Sequence, residues 1–314
     1  MKFFRPVVLV PSLVSSFHWS SLSLVGPDAR DFLHRLSTLD VKSLKVGEGA
    51  PGCFLTPQGK LRASFQLWRD AAESYFFEFD AGQNQDWKNQ LLAFLDQYTF
   101  GEKMTVVDQS GDLECLWLFP SREEDARTTW IESGSKVYAQ TDSEFGRPWL
   151  TLWGPKNLVL ETLKEKFPAA SELSIEEVDR WRIQQMRPRV GFELTEGASP
   201  LEVGLRKFIA DQKGCYPGQE VIEKVLSIGS PARRLVRIEA EGSAPQKGDR
   251  VLGQDLKTEL GTITSVALES GSSVPSRFQI LALVKKTFAK VDESVRFSSS
   301  QETTGAIMQI APYE

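Results

Sequence analysis

The sequence predicts an α+β protein made of two related α+β lobes followed by a small C-terminal β-barrel. Three observations carry this. A strand, a Gly-Pro turn and an amphipathic helix occur twice, at Gly26-Pro27 and at Gly154-Pro155, as after a duplication. Between the two copies the chain is mostly short runs of aromatic and aliphatic residues with strand character. From Leu235 onward, short apolar runs alternate with Gly, Ser and Pro turns, the pattern of a small all-β unit closed on itself to protect its edges. The 314 residues suit about two domains at roughly 150 residues each. The boundary is placed near Gly229-Ser230-Pro231, dividing the chain into residues 1–230 and 231–314.

The elements follow in order. Lys2 and Arg5 ahead of Val7-Val8-Leu9-Val10 have the outline of a signal peptide. Pro11 interrupts that run and no small-x-small cleavage site follows, so the segment is read as a strand leading into the first lobe. Leu22-Ser23-Leu24-Val25 reads as a strand closed by Gly26. Pro27 suits the first position of a helix, where its missing N–H costs nothing. Ala29, Phe32, Leu33 and Leu36 continue at helical spacing, which places His34 on the opposite, solvated face beside Arg30 and Arg35. Residues 61–69 and 74–79 read as an antiparallel pair across a turn at 70–73. Residues 85–98 read as a helix with Trp87, Leu91, Phe94 and Leu95 on one face. Strands are expected at 104–107 and 113–119, and a charged surface helix or loop at 121–132. In the second copy Leu160, Leu163 and Phe167 mark the apolar helical face. A further helix over 175–186 ends at Arg187-Pro188, because the residue before a proline disfavours helix. In the tail, 235–238, 261–266 and 279–284 read as barrel strands.

Composition removes several function classes. Hydrophobic residues at 41% and charged residues at 25% are ordinary for a folded globular chain. The net charge is −5, from 42 acidic and 37 basic residues, which argues against a bulk nucleic-acid binder. No run of 18 apolar residues occurs, so no membrane-spanning helix is expected. Cys53, Cys115 and Cys215 are too few and too scattered for a disulfide framework. Two histidines, His18 and His34, cannot build a His-rich zinc or non-haem iron site. The expectation is a monomer in a reducing cytoplasm, with free thiols, no resident metal, and neither nucleic acid nor membrane as partner.

Chemistry concentrates in Lys213-Gly214-Cys215-Tyr216-Pro217-Gly218-Gln219-Glu220. Glycines permit positive φ and close backbone approach to a ligand. Lys213 supplies a cation that favours the thiolate of Cys215, and a helix starting after Pro217 would add its amide end to the same effect. An ordinary thiol, with a pKa of about 8.5, is only a few per cent thiolate near pH 7. One unit of depression, about 1.4 kcal/mol, raises that several-fold. The same residues also describe a tight turn holding an inert buried cysteine.

This octapeptide resembles the hallmark motif of the YgfZ family, folate-binding proteins that support iron–sulfur enzymes and are related to the T-protein of the glycine cleavage system. Other segments resemble the family in order. They are Leu24-x-Gly26-Pro27-Asp28-Ala29 with Phe32-Leu33 and Leu39-Asp40-Val41, then Thr56-Pro57-Gln58-Gly59-Lys60-Leu61. Arg182 to Pro188, Pro200-Leu201-Glu202-x-Gly204-Leu205, and Gly229 with Arg233-Arg234-Leu235 follow. The resemblance implies three units in a ring around a central channel that binds tetrahydrofolate. Residues 1–230 would be the folate-binding region and the family cysteine would lie near the ligand. It further implies iron–sulfur proteins or their assembly factors as partners and a transient contact of Cys215 with a cluster. One cysteine cannot hold a cluster that takes four ligands.

The chain departs from T-protein in two places. An aspartate that follows the glycine hairpin there has no counterpart in Lys60-Leu61-Arg62-Ala63-Ser64-Phe65, so the proton-transfer group is missing. A glutamate that holds the pterin there falls in the stretch resembled by Arg182-Ile183-Gln184-Gln185. Gln184 would hydrogen-bond the pterin edge without charge. Arg180, Arg182, Arg187 and Arg189 offer cations for a glutamyl tail, with Arg187 the arginine assigned to the folate site, and the eight tryptophans offer a flat apolar slot. The function expected is a tetrahydrofolate-binding protein that assembles, maintains or repairs iron–sulfur enzymes. Cys215 would be the working thiol, supported by Lys213, Gly214, Tyr216, Gly218, Gln219 and Glu220. A glycine-cleavage aminomethyltransferase, a single-cysteine thiol oxidoreductase with Cys53 as a resolving partner, and a scaffold without chemistry are the alternatives.

Overall fold

A computed structural model of the chain describes residues 12–14, 19–82, 86–119, 137–142, 149–168, 170–269, 276–300 and 302–312. The apolar run at 7–10 and the charged stretch at 121–132 lie outside the described residues. In chain order the first elements are β1 (Ser12–Val14), β2 (Trp19–Val25), α1 (Ala29–Leu36), β3 (Gly49–Leu55), β4 (Leu61–Ala71), β5 (Ser74–Asp80), α2 (Asp86–Gln97) and β6 (Thr105–Asp108). The second group is β7 (Leu113–Phe119), β8 (Tyr138–Asp142), β9 (Trp149–Pro155), α3 (Lys156–Lys166), β10 (Ser171–Glu172) and α4 (Ile175–Gln184). After a single 3-10 turn at Arg206–Phe208 come α5 (Gln219–Ile228) and then β11 (Arg233–Gly242), β12 (Arg250–Leu252), β13 (Glu259–Leu268), β14 (Ser276–Lys285), β15 (Ser294–Phe297) and β16 (Thr304–Ile310).

The α+β class is as the sequence predicts: two five-stranded sheets and a closed barrel. The first sheet has the order β3-β4-β5-β2-β6 and the second β10-β1-β7-β9-β8. The repeated unit is visible in both. Gly26 at the end of β2 and Gly154 in β9 take φ of 144° and 155°, and each leads into a helix. Pro27 stands two positions further out than expected, just before the N-cap. Asp28 is the N-cap of α1, and its carboxylate accepts the Lys103 amide at 2.7 Å instead of capping the helix. The apolar stripe is as read: Ala29, Phe32, Leu33 and Leu36 are buried. They join Phe54, Phe65, Phe77 and Phe94 in one core between the first sheet and its helices.

The tail closes as β11-β14-β13-β12-β15-β16, so that no edge is left to recruit another strand. Its interior is aliphatic, with Val236, Ile238, Val251, Ile280, Val284, Val295, Phe297 and Ile307 buried. Each such side chain contributes about 1.5–3 kcal/mol of burial free energy.

Three contacts join these bodies in a cycle. Trp68 and Phe76 of the first sheet pack on Trp153, Trp117 and Cys115 of the second, with Val178 of α4. Ile183 and Met186, at the end of α4, pack on Leu235, Ala267 and Leu281 of the barrel. The stretch from Val190 to Ile222 covers Cys53, Leu55 and Leu61 of the first sheet, with Leu283 of the barrel at its rim. A buried ion cluster pins the second of these joints. The Arg182 guanidinium pairs with Asp179 and, at 3.1 Å, with Glu193. It also donates to the Ser265 hydroxyl of β13 at 2.8 Å, and that hydroxyl donates to Glu193 at 2.6 Å. Glu193 is fully buried.

Candidate functional site

The motif at 213–220 alternates inward and outward. Lys213 points in and is buried. Its ammonium donates to the carbonyls of His34 and Ser37, at the end of α1 where intrahelical donors run out. The negative end of the helix favours a cation there. Burial nevertheless dominates and brings the lysine pKa down to about 8. Gly214 follows at φ +96°, and Cys215 is exposed. Tyr216 turns inward again, its ring 5.1 Å beneath the Lys213 ammonium. Burial, with Glu223 adding to it, pushes its phenol up. The Tyr216 hydroxyl is buried without a hydrogen-bond partner among the described residues. Gly218, left-handed at φ +82°, is the N-cap of α5. Gln219 and the exposed Glu220 form the first turn of that helix, where a carboxylate is favoured.

The glycine hairpin lies directly against this motif. Its turn is closed by Thr56 N–H to the Lys60 carbonyl at 2.8 Å and Gly59 N–H to the Thr56 carbonyl at 2.9 Å. Gly59 and Gly218 are in contact, so two segments far apart in sequence form one surface around Cys215.

His34 is not the solvated residue expected from its helical position. Its side chain is only 16% exposed and its Nδ1 lies 3.3 Å from the Asp40 carboxylate. Burial first, and Lys213 second, lower its pKa. The cause is the 213 segment, which folds over the end of α1. The other thiols are withdrawn from chemistry. Cys53 is fully buried and burial pushes its thiol far up, while Cys115 is buried between the sheets. Cys53 as a resolving partner does not fit this burial, which shuts its thiol off from solvent and keeps it protonated.

The predicted folate contacts fare differently. Gln184 is the last residue of α4 and is exposed. The Arg187 guanidinium lies over the Trp117 ring at 3.6 Å. The four-arginine group does not form one cationic patch. Arg182 is engaged by Asp179 and Glu193, and Arg189 lies 3.4 Å from Asp179, so their charge is answered inside the protein.

Sequence reasoning passed over a polar band on the first sheet. In β5, Tyr75, Phe77 and Phe79 face the helical core, which turns Phe76 and Glu78 to the opposite face. Glu78 is 3% exposed. Its cross-strand neighbours are Gln66 of β4 and Ser21 of β2. The Gln66 Nε2 is buried without a hydrogen-bond partner among the described residues. The next row holds Trp68, Phe76 and Ser23, and Trp68 stacks on Trp153 with ring centroids 5.9 Å apart. A glutamate spaced between phenylalanines in an alternating strand is the signal that marks this face. An aromatic wall beside an orphaned amide donor fits a flat, polar-edged heterocycle.

A resident iron–sulfur cluster does not fit this chain's residues. Among the described residues no three His, Cys, Asp or Glu side chains gather as metal ligands, and two of the three thiols are buried. Among the same residues, no helix is long and apolar enough to cross a membrane.

No family model matches the chain. It is 24% identical to a protein of Arabidopsis thaliana named as a chloroplastic transferase, over 96% of this chain and 71% of that one. It is 24% identical to an aminomethyltransferase of Acidobacterium capsulatum, over 88% and 78%. An aminomethyltransferase of Koribacter versatilis is 25% identical, over 85% and 74%. The crystal structure of glycine cleavage system aminomethyltransferase T from Bartonella henselae superposes with a TM-score of 0.74 at 16% identity, covering 97% of this chain and 86% of that one. In sequence the chain is aminomethyltransferase-like, and over nearly its whole length it has the fold of the glycine cleavage T-protein.

Proposed function

We propose that this chain is a tetrahydrofolate-binding protein that supports the assembly, maintenance or repair of iron–sulfur enzymes, with Cys215 as its working thiol. Residues 1–230 would bind the folate and residues 231–314 would close the ring as the barrel. The observation that carries the reading is the exposed Cys215, held on a loop clamped between the end of α1 and the glycine hairpin. The aminomethyltransferase-like sequence and fold support the folate part. Iron–sulfur proteins enter as clients, whose clusters Cys215 meets in passing.

A glycine-cleavage aminomethyltransferase is the second reading, favoured by the names of the relatives. Against it stands the stretch 60–65, Lys-Leu-Arg-Ala-Ser-Phe, which offers no carboxylate beside the hairpin. Calorimetric titration with tetrahydrofolate tests the shared part of both readings: saturable binding is expected, and no response at millimolar ligand removes them. Wild type and Cys215→Ala should bind alike, because the thiol acts on the client and not on the folate.

A further inference from the structure

The segment that carries Cys215 is anchored at both ends and held down between them by few groups. On one side the Ala210 amide donates to the Thr38 carbonyl at 2.9 Å, and the Thr38 hydroxyl donates to the Phe208 carbonyl at 2.6 Å. On the other side Gly218 lies against Gly59. Between these anchors Asp211, Gln212, Gly214 and Cys215 are exposed, while Lys213 and Tyr216 are buried. Gln212 holds a left-handed φ of +54°, a conformation unfavourable for any residue with a Cβ, so the seated loop carries strain that its release would remove. His34 and Lys213 grip each other. The Lys213 ammonium donates to the His34 carbonyl, and the His34 imidazole faces the Lys213 carbonyl. The His34 Nδ1 lies 3.3 Å from the Asp40 carboxylate but has no aligned hydrogen bond among the described residues. A neutral imidazole has one N–H to offer two acceptors, and a charged one would stand beside a buried ammonium.

We propose that this joint is an acid-released latch on the Cys215 loop: a proton on His34 sets a second cation against the seated Lys213 ammonium and lets the segment between Ala210 and Gly218 lift off α1. The latch regulates access to Cys215, and its bearing on function rests on the role proposed for that thiol above. The charges around the ring are Lys213 from the segment, Asp40 and Lys42 from the turn after α1, and Asp31 from α1 itself. Lys42 is paired with Asp31 at 3.0 Å. Asp40 faces both His34 and Lys213, but it is 37% exposed, so water screens its attraction. Burial and Lys213 outweigh it, and the seated ring binds a proton less tightly than a free histidine. Once the segment has lifted, the ring meets water and the ammonium is gone, so it binds the proton with ordinary affinity. The state that binds the proton better gains population as the pH falls. The loop therefore opens as the pH drops below the ordinary histidine value of about 6.5. Lys213 adds little slope there, because a pKa of about 8 keeps it charged in both states.

The test is limited tryptic cleavage of the full chain. Trypsin cuts after Lys213 only when that buried side chain has left α1 and entered the protease. Cleavage after Lys45, 83% exposed, is measured in the same sample and corrects for the activity of trypsin at each pH. In wild type the ratio of Lys213 to Lys45 cleavage should rise several-fold between about pH 7.5 and about pH 5.5, values on either side of the ordinary histidine midpoint. In His34→Gln, whose side chain stays polar but takes no charge, the ratio should hold nearly constant. A ratio that does not rise in wild type, or that rises equally in both chains, overturns the latch. Melting curves establish that the variant is folded. Should His34→Gln not fold, an NMR titration of the wild-type ring decides: a midpoint below the ordinary histidine value supports the latch, and one at or above it overturns the latch. Cys215→Ala should show the same acid step as wild type. Failure of the thiol's proposed role would thus leave the latch standing, and loss of the step would leave that role standing.

Discussion

Gly218 lies against Gly59. A Cβ on Gly218 would fall 2.9 Å from the Gly59 Cα and 2.5 Å from the Thr56 carbonyl oxygen, and one on Gly59 would meet the Val221 side chain at 3.1 Å. Both residues also hold positive φ, +82° and +69°. The hairpin and the motif helix are therefore fitted to each other through two positions where no side chain has room.

Gly218→Ala is expected to destabilise the protein by on the order of 2–4 kcal/mol, from left-handed strain and overpacking together. Urea unfolding would measure it. The substitution should also free the hairpin, so that proteolysis between 56 and 60 becomes faster. A stable variant with an unchanged cleavage rate would show that the contact is incidental.

Iodoacetamide should label Cys215 in the folded protein and leave Cys53 and Cys115 protected, since only the first is exposed and burial holds the Cys53 thiol uncharged. Lys213→Met should slow the labelling of Cys215 by removing the cation that interacts with it. Mass spectrometry resolves the three sites. Equal protection of all three thiols would make Cys215 a structural residue.

Lys213 also sets a pH dependence. Its folded-state pKa, about 8, lies below the ordinary lysine value of about 10.4. Between those values the unfolded chain binds the proton more tightly than the native protein, so stability rises with pH. Wild type should therefore gain stability relative to Lys213→Met as the pH is raised from about 8 to about 10. Denaturant midpoints across that interval give the slope, and a relative loss would contradict it.

Arg182→Met should cost about 3–5 kcal/mol, the usual result of leaving a buried carboxylate uncompensated. The carboxylate here is Glu193, which is fully buried. Arg182→Met combined with Glu193→Leu should recover most of the loss. A double variant no more stable than the single one would mean that the cluster is needed for more than charge balance.

In cells lacking such a protein, the chain should restore the activity of iron–sulfur enzymes, and folded Cys215→Ala should not. Glycine-cleavage methylene transfer should stay at background, because loss of a general acid or base typically costs about 10²–10⁴ in rate. Complementation by folded Cys215→Ala would move the function away from the thiol, and robust methylene transfer would make the chain an aminomethyltransferase.

Elements with a strong period were legible in the sequence. The α1 stripe, the β4–β5 pair and the barrel strands stand where the spacing of apolar residues places them. β3 was not legible, because Gly-Ala-Pro-Gly at 49–52 reads as a turn. In the fold Gly49 and Gly52 are strand residues, and a Cβ on them would strike Trp68 and Phe65. The motif around Cys215 could be picked out from its residue types, but its docking on Gly59 could not, since neither segment encodes the other's position. His34 was misread for the same reason: a helical wheel knows nothing of the 213 segment that covers it. Glu78 went unnoticed because a single charge in a strand reads as solvent-facing until a second sheet is seen to lie over it.

The placement of β1 matters for synthesis. Ser12–Val14 sits inside the second sheet, next to its edge strand, antiparallel to β7 and parallel to β10, although the whole first sheet is made before either partner leaves the ribosome. Among the described residues, the first strand has its partners only in segments that follow the whole first sheet. A fragment ending after β6 would carry an orphan strand, and one beginning at β7 would be missing an interior one. Neither lobe can then be cut free at the sequence boundary between them.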